Sequence, residues 1–395
     1  MRVLVLSFYY QPDLSAGSFR AKSIVDELVN ILPENSHIDV ITTMPNRYST
    51  FEDNAKEFEV SGIVSITRVK LSSHKGGMLD QSKAYLRYYN ATRAYVKEKQ
   101  YDIVYATSGR LFTAFLGSRI ATKKKIPLYI DIRDILLDTL KDVLSRKIFI
   151  ILRPVLSQVE RYTFTKATKV NLVSEGFSTY FNKKYPDKDY DYFTNGIDEE
   201  FIEQTKILSM QEDDNKSKLK LILYAGNIGE GQGLHKIIPK LALRLKQSHR
   251  FAIIGDGGRL GLLKNELTER KIKNVELITP VKREKLIDLY NQADILFLHL
   301  NDYAAFERVL PSKLFEYGAT GKPVLAGVAG YSAKFIADNI SNSAVFSPCD
   351  DEAAVKSINE LVLGHSDRSN FIDKFRRNGI MKKMAASIVS LADNK

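Results

Sequence analysis

Residues 307–326 read Glu307-Arg-Val-Leu-Pro-Ser-Lys-Leu-Phe-Glu-Tyr-Gly-Ala-Thr-Gly-Lys-Pro-Val-Leu-Ala326. Proline is tolerated at the first turn of a helix and small polar residues suit a cap, so Pro311-Ser312-Lys313 opens a short helix. Gly321-Lys322-Pro323 stops it, and Val324-Leu325-Ala326 reads as a buried strand. The free N–H groups and positive dipole end of a helix N-terminus suit a diphosphate. Glu316, on the first turns, is an acceptor-only carboxylate suited to the two hydroxyls of a ribose. One short element thus offers both halves of a nucleoside diphosphate site. The plain alternative is an ordinary helix packed on a sheet.

Outward from this stretch the chain alternates strand and helix from end to end. Strands are expected at 3–8, 38–42, 63–69, 103–106, 128–132, 170–173 and 192–194, with helices over 18–32, 78–99, 111–124, 145–165 and 176–183. Residues 204–218 are polar and read as a surface insertion near a domain boundary. A second series follows, with strands at 219–225, 251–254, 275–277, 295–298, 324–326 and 344–346. Such alternation argues parallel sheets with helices on both faces. A length of 395 residues argues two domains. Hydrophobic content of 44% and charged content of 27% are those of a soluble globular protein. No apolar run approaches the ~20 residues that span a bilayer. The opening Met1–Tyr10 reads as a first strand rather than a signal peptide. Cys349, the single cysteine, excludes an internal disulfide and fits a reducing cytoplasm.

Tyr224-Ala-Gly-Asn-Ile-Gly-Glu-Gly-Gln-Gly233 lies between a strand and a helix. Gly226, Gly229, Gly231 and Gly233 allow close backbone approach to a ligand, the logic of a phosphate-cradling loop. Ile254-Gly-Asp-Gly-Gly258 is a second glycine turn at a strand end. In the first half, Gly17 begins a helix whose N-terminus suits a phosphate or an acceptor. Asp131-Ile-Arg-Asp134 ends a strand, and burial of these charges requires mutual pairing. They form either a structural ion pair or a site in which Asp131 or Asp134 contacts sugar or takes a proton. Asp187-Lys-Asp-Tyr-Asp191 has a metal-binding spacing, but it sits in a polar loop. The six histidines form no ligand set, and His299 reads as core or cleft lining.

The segment from Pro311 to Val324 resembles the nucleotide-sugar segment of glycosyltransferase family 4, retaining transferases of the GT-B fold. The Pro-Ser-Lys variant is similar to bacterial O-antigen and capsule transferases that move N-acetylfucosamine-type amino sugars. The resemblance implies an α/β architecture of two Rossmann-like, doubly wound parallel-sheet domains facing a cleft. It places an acceptor-side domain at 1–198, a nucleotide-sugar domain at 199–365, and a helical tail at 366–395 that crosses back to the first. It assigns the ribose to Glu316 and the phosphates to the backbone of Ser312 and Leu314. Gly17, Gly226 and Gly255 would approach the donor, and Val281 would touch the base. The family's paired glutamates put the first at Arg308; Glu307, next to it, is the candidate catalytic carboxylate, together with Asp131 and Asp134. The family's Arg and Lys for the diphosphate fall at Asn227 and Gln232, which donate hydrogen bonds without charge. Positive charge is then expected from Lys313 or Arg308. No cofactor or metal is implied beyond a UDP-sugar donor. The implied acceptor is a lipid-diphosphate-linked saccharide at the inner membrane face, met by a cytoplasmic, peripherally associated enzyme that binds no nucleic acid.

Between Arg68 and Lys125 there are thirteen Lys+Arg and three Asp+Glu, a net +10 against +11 for the whole chain. Tyrosines are interleaved. Such a segment suits an anionic membrane, nucleic acid, or a plain solvated helix face. Lys83, Arg87, Tyr88 and Arg133 are the candidate acceptor and membrane residues. The run Arg146–Leu156, apolar and bracketed by cations, is either an interfacial helix or buried core. Two rival functions stand beside a transferase: a nucleotide-sugar epimerase on the same fold, and a nucleic-acid-binding protein.

Overall fold

A computed structural model describes residues 1–13, 15–45, 55–71, 78–108, 111–208 and 219–393. The chain forms two compact units, residues 1–194 with 378–395 and residues 195–377. The first contains β1 (Arg2–Leu6), β2 (His37–Thr43), β3 (Phe58–Ser61), β4 (Val64–Val69), β5 (Ile103–Thr107), β6 (Leu128–Ile132), β7 (Lys169–Leu172) and β8 (Asp189–Asp191). Their order in the sheet is β3-β4-β2-β1-β5-β6-β7-β8. All neighbours are parallel except β3 with β4. The central strands are rich in Val, Ile, Leu and Tyr and are buried throughout except for Arg2 at the start of β1, as strands covered on both faces require.

The second unit contains β9 (Lys220–Ala225), β10 (His249–Ile254), β11 (Val275–Ile278), β12 (Ile295–His299), β13 (Val324–Gly327) and β14 (Ser343–Phe346). All are parallel, in the order β11-β10-β9-β12-β13-β14. The order reverses between β9 and β12. In a doubly wound sheet, ligands bind at this reversal, outside the carboxyl ends of the strands.

Four features depart from the sequence reading. The strand expected at 63–69 is one arm of a hairpin, paired with β3 through a turn at Gly62, whose φ is +56°. The strand expected at 192–194 lies at Asp189–Asp191, where both aspartates face Lys169 across the edge pair. A helix at Leu136–Val143 joins Ile132 to the next long helix. The tail divides: Phe371 and Phe375 pack on Phe315 and Phe335 in the second unit. Only beyond Arg377 does the chain enter the first unit, where Met381, Met384, Ala385 and Ile388 join the core of Val3, Ile24, Leu28 and Val40. The second unit begins at Asn195 because Ile197 bridges to Arg376 and Asp198 is paired with Arg283 and Arg377. Residues 209–218, the centre of the expected insertion, lie outside the described residues, as do Lys75 and Arg110 of the basic segment.

Candidate functional site

At the reversal point of the second sheet, the loop after β9 is tied to the segment after β12. Asn301 N–H donates to the Gly231 carbonyl at 2.8 Å, and Asn301 Nδ2 donates to the Glu230 carbonyl at 2.8 Å. Tyr303 Oη donates to Glu230 Oε1 at 2.6 Å, and Arg259 pairs with Glu230 Oε2 at 2.5 Å. The loop after β10 closes against it. A Cβ on Gly255, at φ +149°, would lie 1.8 Å from the Gly226 carbonyl oxygen, so only glycine lets these two turns touch. Asn227 Nδ2 donates to Gln232 Oε1 at 2.8 Å, so the two neutral residues standing at the cationic positions bond each other. The cations beside this loop are Lys236, which donates to Asn301 Oδ1 at 3.0 Å, and Arg259.

His299 supports the same loop from beneath. Cys349 N–H donates to its Nε2 at 2.9 Å, which leaves Nδ1 to donate to the Gln232 carbonyl at 2.7 Å. Burial lowers its pKa from 6.5 to about 4, so the ring is neutral. The unfolded chain binds this proton more readily. The stabilisation is therefore complete above pH 6.5 and lost as pH falls toward 4, by about 3 kcal/mol in all. His299→Asn is expected to flatten the fall in melting temperature between pH 6.5 and 5. Parallel melting profiles for the two proteins would refute the assignment.

Glu316 lies on the seven-residue helix Lys313–Ala319. Lys313 Nζ and Tyr290 Oη both donate to its Oε2, at 2.7 and 3.0 Å, and Lys313 also donates to Tyr290 Oη at 2.8 Å. Burial, then the Glu316 charge, pushes the Tyr290 phenol well above its ordinary range, so it remains a donor. Tyr317, next along, accepts from Ala225 N–H at 3.1 Å and joins this helix to the end of β9. Val281 lies, half-buried, in the turn before the helix that carries Tyr290. Arg368 closes the other end of the helix. Its guanidinium donates to the carbonyls of Tyr317, Gly318, Lys322, Ser341 and Asn342, and burial lowers its pKa to about 10.

Ser312 caps this helix in position, without a side-chain hydrogen bond. The Leu314 side chain is fully buried, and its N–H donates to the Pro311 carbonyl at 3.1 Å, within the turn. Glu307 is exposed and Arg308 half-buried, both on a short 3-10 turn before Pro311.

In the first unit, Gly17 lies in the first turn of helix Ala16–Ile31, capped by Ser15, whose Oγ accepts from Ser18 N–H at 3.2 Å. The Arg133 guanidinium lies across this turn; a Cβ on Gly17 would sit 2.1 Å from its Nη1. Arg133 N–H donates to Ser108 Oγ at 3.3 Å, and Asp134 beside it is exposed. Asp131 takes a different place from the catalytic one expected. It is wholly buried, and Arg20 reaches it from 111 residues away with two bonds, Nε to Oδ2 at 2.7 Å and Nη2 to Oδ1 at 3.0 Å. Asn171 and Tyr105 donate to it at 2.7 and 3.1 Å. Burial alone would raise the Asp131 carboxyl, but the charge and hydrogen bonds of Arg20, then Asn171, hold it below the usual carboxylate range. Asp131 is a buried and fully paired anion, and Asp134 is the carboxylate of this pair that solvent reaches.

The basic, tyrosine-rich helix is also corrected. Tyr88 is wholly buried and donates to the Ile41 carbonyl at 2.7 Å. Tyr95 and Tyr101 donate to buried Asp39 at 3.1 and 2.7 Å, and Tyr85 donates to the Phe112 carbonyl. These rings pack the helix onto its unit. Lys83 and Arg87 are exposed on its outer side. In the loop with metal-binding spacing, Asp189 and Asp191 pair with Lys169. Among the described residues no group of three His, Cys, Asp or Glu could hold a metal.

Glu230, Asn301, Tyr303, Tyr290 and Arg368 carry no local signal in the sequence. Their partners are distant in the chain, and only the glycine turns hinted at a crowded loop.

Residues 206–378 match the family described as glycosyl transferases group 1. Over 120 residues the chain is 35% identical to WcaI of Escherichia coli K12, named as a glycosyl transferase of colanic acid biosynthesis. The match covers 30% of this chain, which spans only 28% of that relative's length. Among solved structures, sucrose-phosphate synthase of Thermosynechococcus elongatus matches with a TM-score of 0.69 and 12% identity, over 100% of this chain and 96% of that one. WaaG, a glycosyltransferase involved in lipopolysaccharide biosynthesis, matches with a TM-score of 0.65 and 18% identity, over 100% and 98%. The two Rossmann-like units of this chain have the GT-B fold of these glycosyltransferases.

Proposed function

We propose that this protein is a metal-independent, retaining glycosyltransferase. It moves a sugar, an N-acetylated amino sugar in this reading, from a UDP-sugar to a lipid-diphosphate-linked saccharide at the cytoplasmic membrane face, during bacterial surface polysaccharide synthesis. The observation that carries the reading is the place of Glu316. It is a partly buried carboxylate behind a Pro-Ser-Lys opening, on the helix whose Tyr317 bonds the end of β9, the strand at which the parallel sheet reverses its order. The names of WcaI and WaaG support a surface-polysaccharide role.

In such a transfer, positive charge develops on the sugar and negative charge on the departing diphosphate, and both are stabilised by preorganised groups. Glu316 holds the ribose hydroxyls. The backbone at Ser312, Gly226 and Gly255 faces the phosphates, with Lys313 and Arg308 as cations. Asp134 and Glu307, both exposed, are the carboxylates open to the acceptor's proton. Arg133, beside the helix start at Gly17, is placed to meet an anionic group.

The test incubates the protein with labelled UDP-sugars, N-acetylated amino sugars among them, and a bacterial lipid extract. Label is expected in the organic phase without added metal. A sugar nucleotide isomerised without any acceptor would instead establish an epimerase. No turnover of any UDP-sugar would overturn both.

A further inference from the structure

The run Arg146–Leu156 forms the first half of helix Arg146–Lys166 and divides its apolar side chains between two faces. Phe149 and Leu152 are half-buried and Leu156 is buried, whereas Ile148, Ile150, Ile151 and Val155 are 46, 58, 74 and 66% exposed. The second half packs normally, with Leu156, Thr163 and Phe164 buried and Tyr162 against Phe115 at 5.6 Å. Ile148, Ile151 and Val155 are spaced i, i+3, i+7 and form one stripe along the helix. Lys147, Ile150 and Pro154 repeat that spacing beside it. Val143, at the end of the preceding helix, is also exposed. Single exposed apolar residues are ordinary, but a contiguous exposed stripe marks a contact surface.

Along the exposed half of this helix the charge is of one sign, the nearest acids in sequence being Asp142 on the preceding helix and Glu160 in the second half. Arg146, Lys147 and Arg153 are exposed, and no acidic residue occurs from Val143 to Val159. Branched aliphatics among cations suit the boundary of an anionic bilayer, where the aliphatics enter the headgroup region and the cations meet phosphates. Two copies of the stripe meeting about a twofold axis would set these cations against themselves. No helix among the described residues is long and apolar enough to cross a membrane.

We propose that the N-terminal half of helix Arg146–Lys166 is an interfacial docking surface for anionic lipid. This goes beyond the transfer reaction, and lipid binding is measurable without any sugar chemistry, so either proposal can fail alone.

The experiment is co-sedimentation of the full chain with phosphatidylcholine vesicles, with and without phosphatidylglycerol. Binding is expected only where phosphatidylglycerol is present, and it should weaken as salt rises. Ile151→Glu with Val155→Glu is expected to lower partitioning more than about tenfold. Both sites are exposed, so the circular dichroism spectrum and melting temperature should hold. Arg146→Gln with Lys147→Gln and Arg153→Gln should lose the salt-sensitive part and gives a second, independent reading. The proposal is overturned if the native chain ignores anionic vesicles or if both variants bind them unchanged. It is equally overturned if the native chain is a dimer that Ile151→Glu dissolves, since the stripe then belongs to a second copy.

Discussion

Replacing Asp131 with alanine is expected to destabilise the first unit by about 3–5 kcal/mol. Arg20 is 1% exposed and would keep only neutral partners, the Thr194 and Phe193 carbonyls at 2.7 and 2.8 Å and Met384 Sδ at 3.4 Å, with no counter-charge. For a unit of this size the loss corresponds to a drop of roughly 10 °C in melting temperature. Asp131→Asn keeps the shape but not the charge and should fall between. Arg20→Met with Asp131→Leu should recover much of the loss, because removing both charges removes the desolvation cost as well. The pair of experiments separates structure from catalysis. A structural Asp131 predicts transfer activity wherever the fold is restored, whereas a catalytic one predicts a stable, inactive double variant. Because its folded-state pKa is depressed, the Asp131 contribution is present above the ordinary carboxylate range and is lost as pH falls through the folded value.

Replacing Glu316 with alanine is expected to weaken UDP binding about tenfold to a hundredfold. A hydrogen bond to a charged group contributes roughly 1.5–3 kcal/mol, and each 1.4 kcal/mol is a factor of ten. The fold should persist. Glu316 and Lys313 are partly exposed, with 17 and 24% of their side-chain surface open, so the released ammonium finds water. The Tyr290 hydroxyl loses its acceptor, at a local cost of about 1 kcal/mol. An equal loss of affinity in a variant that also melts far below the native protein would point to a damaged second unit rather than a missing ribose contact.

The sheets were legible because a parallel strand is a short buried run of Val, Ile and Leu, whatever lies beside it. β3 escaped notice because Phe58 and Val60 lie on an exposed edge, so no buried run announces it. The candidate site was legible only where glycine or proline punctuates the chain, as at Gly226, Gly255 and Pro311. Contacts over long sequence separation were not. Nothing in Asp131-Ile-Arg-Asp134 tells that the partner of Asp131 is Arg20 rather than Arg133. The tyrosines of residues 85–101 looked like a mixed basic and aromatic surface. In the fold the hydroxyls of Tyr85, Tyr88, Tyr95 and Tyr101 reach Phe112, Ile41 and Asp39, and the rings become packing. For Arg146–Leu156 the sequence supported both core and interface, since periodicity identifies a stripe but not what covers it. Exposure decided that question.

Residues 307–326, on the proposed function, form the nucleotide half of a transferase site. Calorimetric titration of the purified protein with UDP and with GDP, without metal, probes that role when Glu316→Ala is titrated alongside. Selective UDP binding by the native protein, lost or strongly weakened in the variant at unchanged melting temperature, is the predicted result. Failure of a folded native protein to bind either nucleotide, or UDP binding that Glu316→Ala leaves intact, would contradict it.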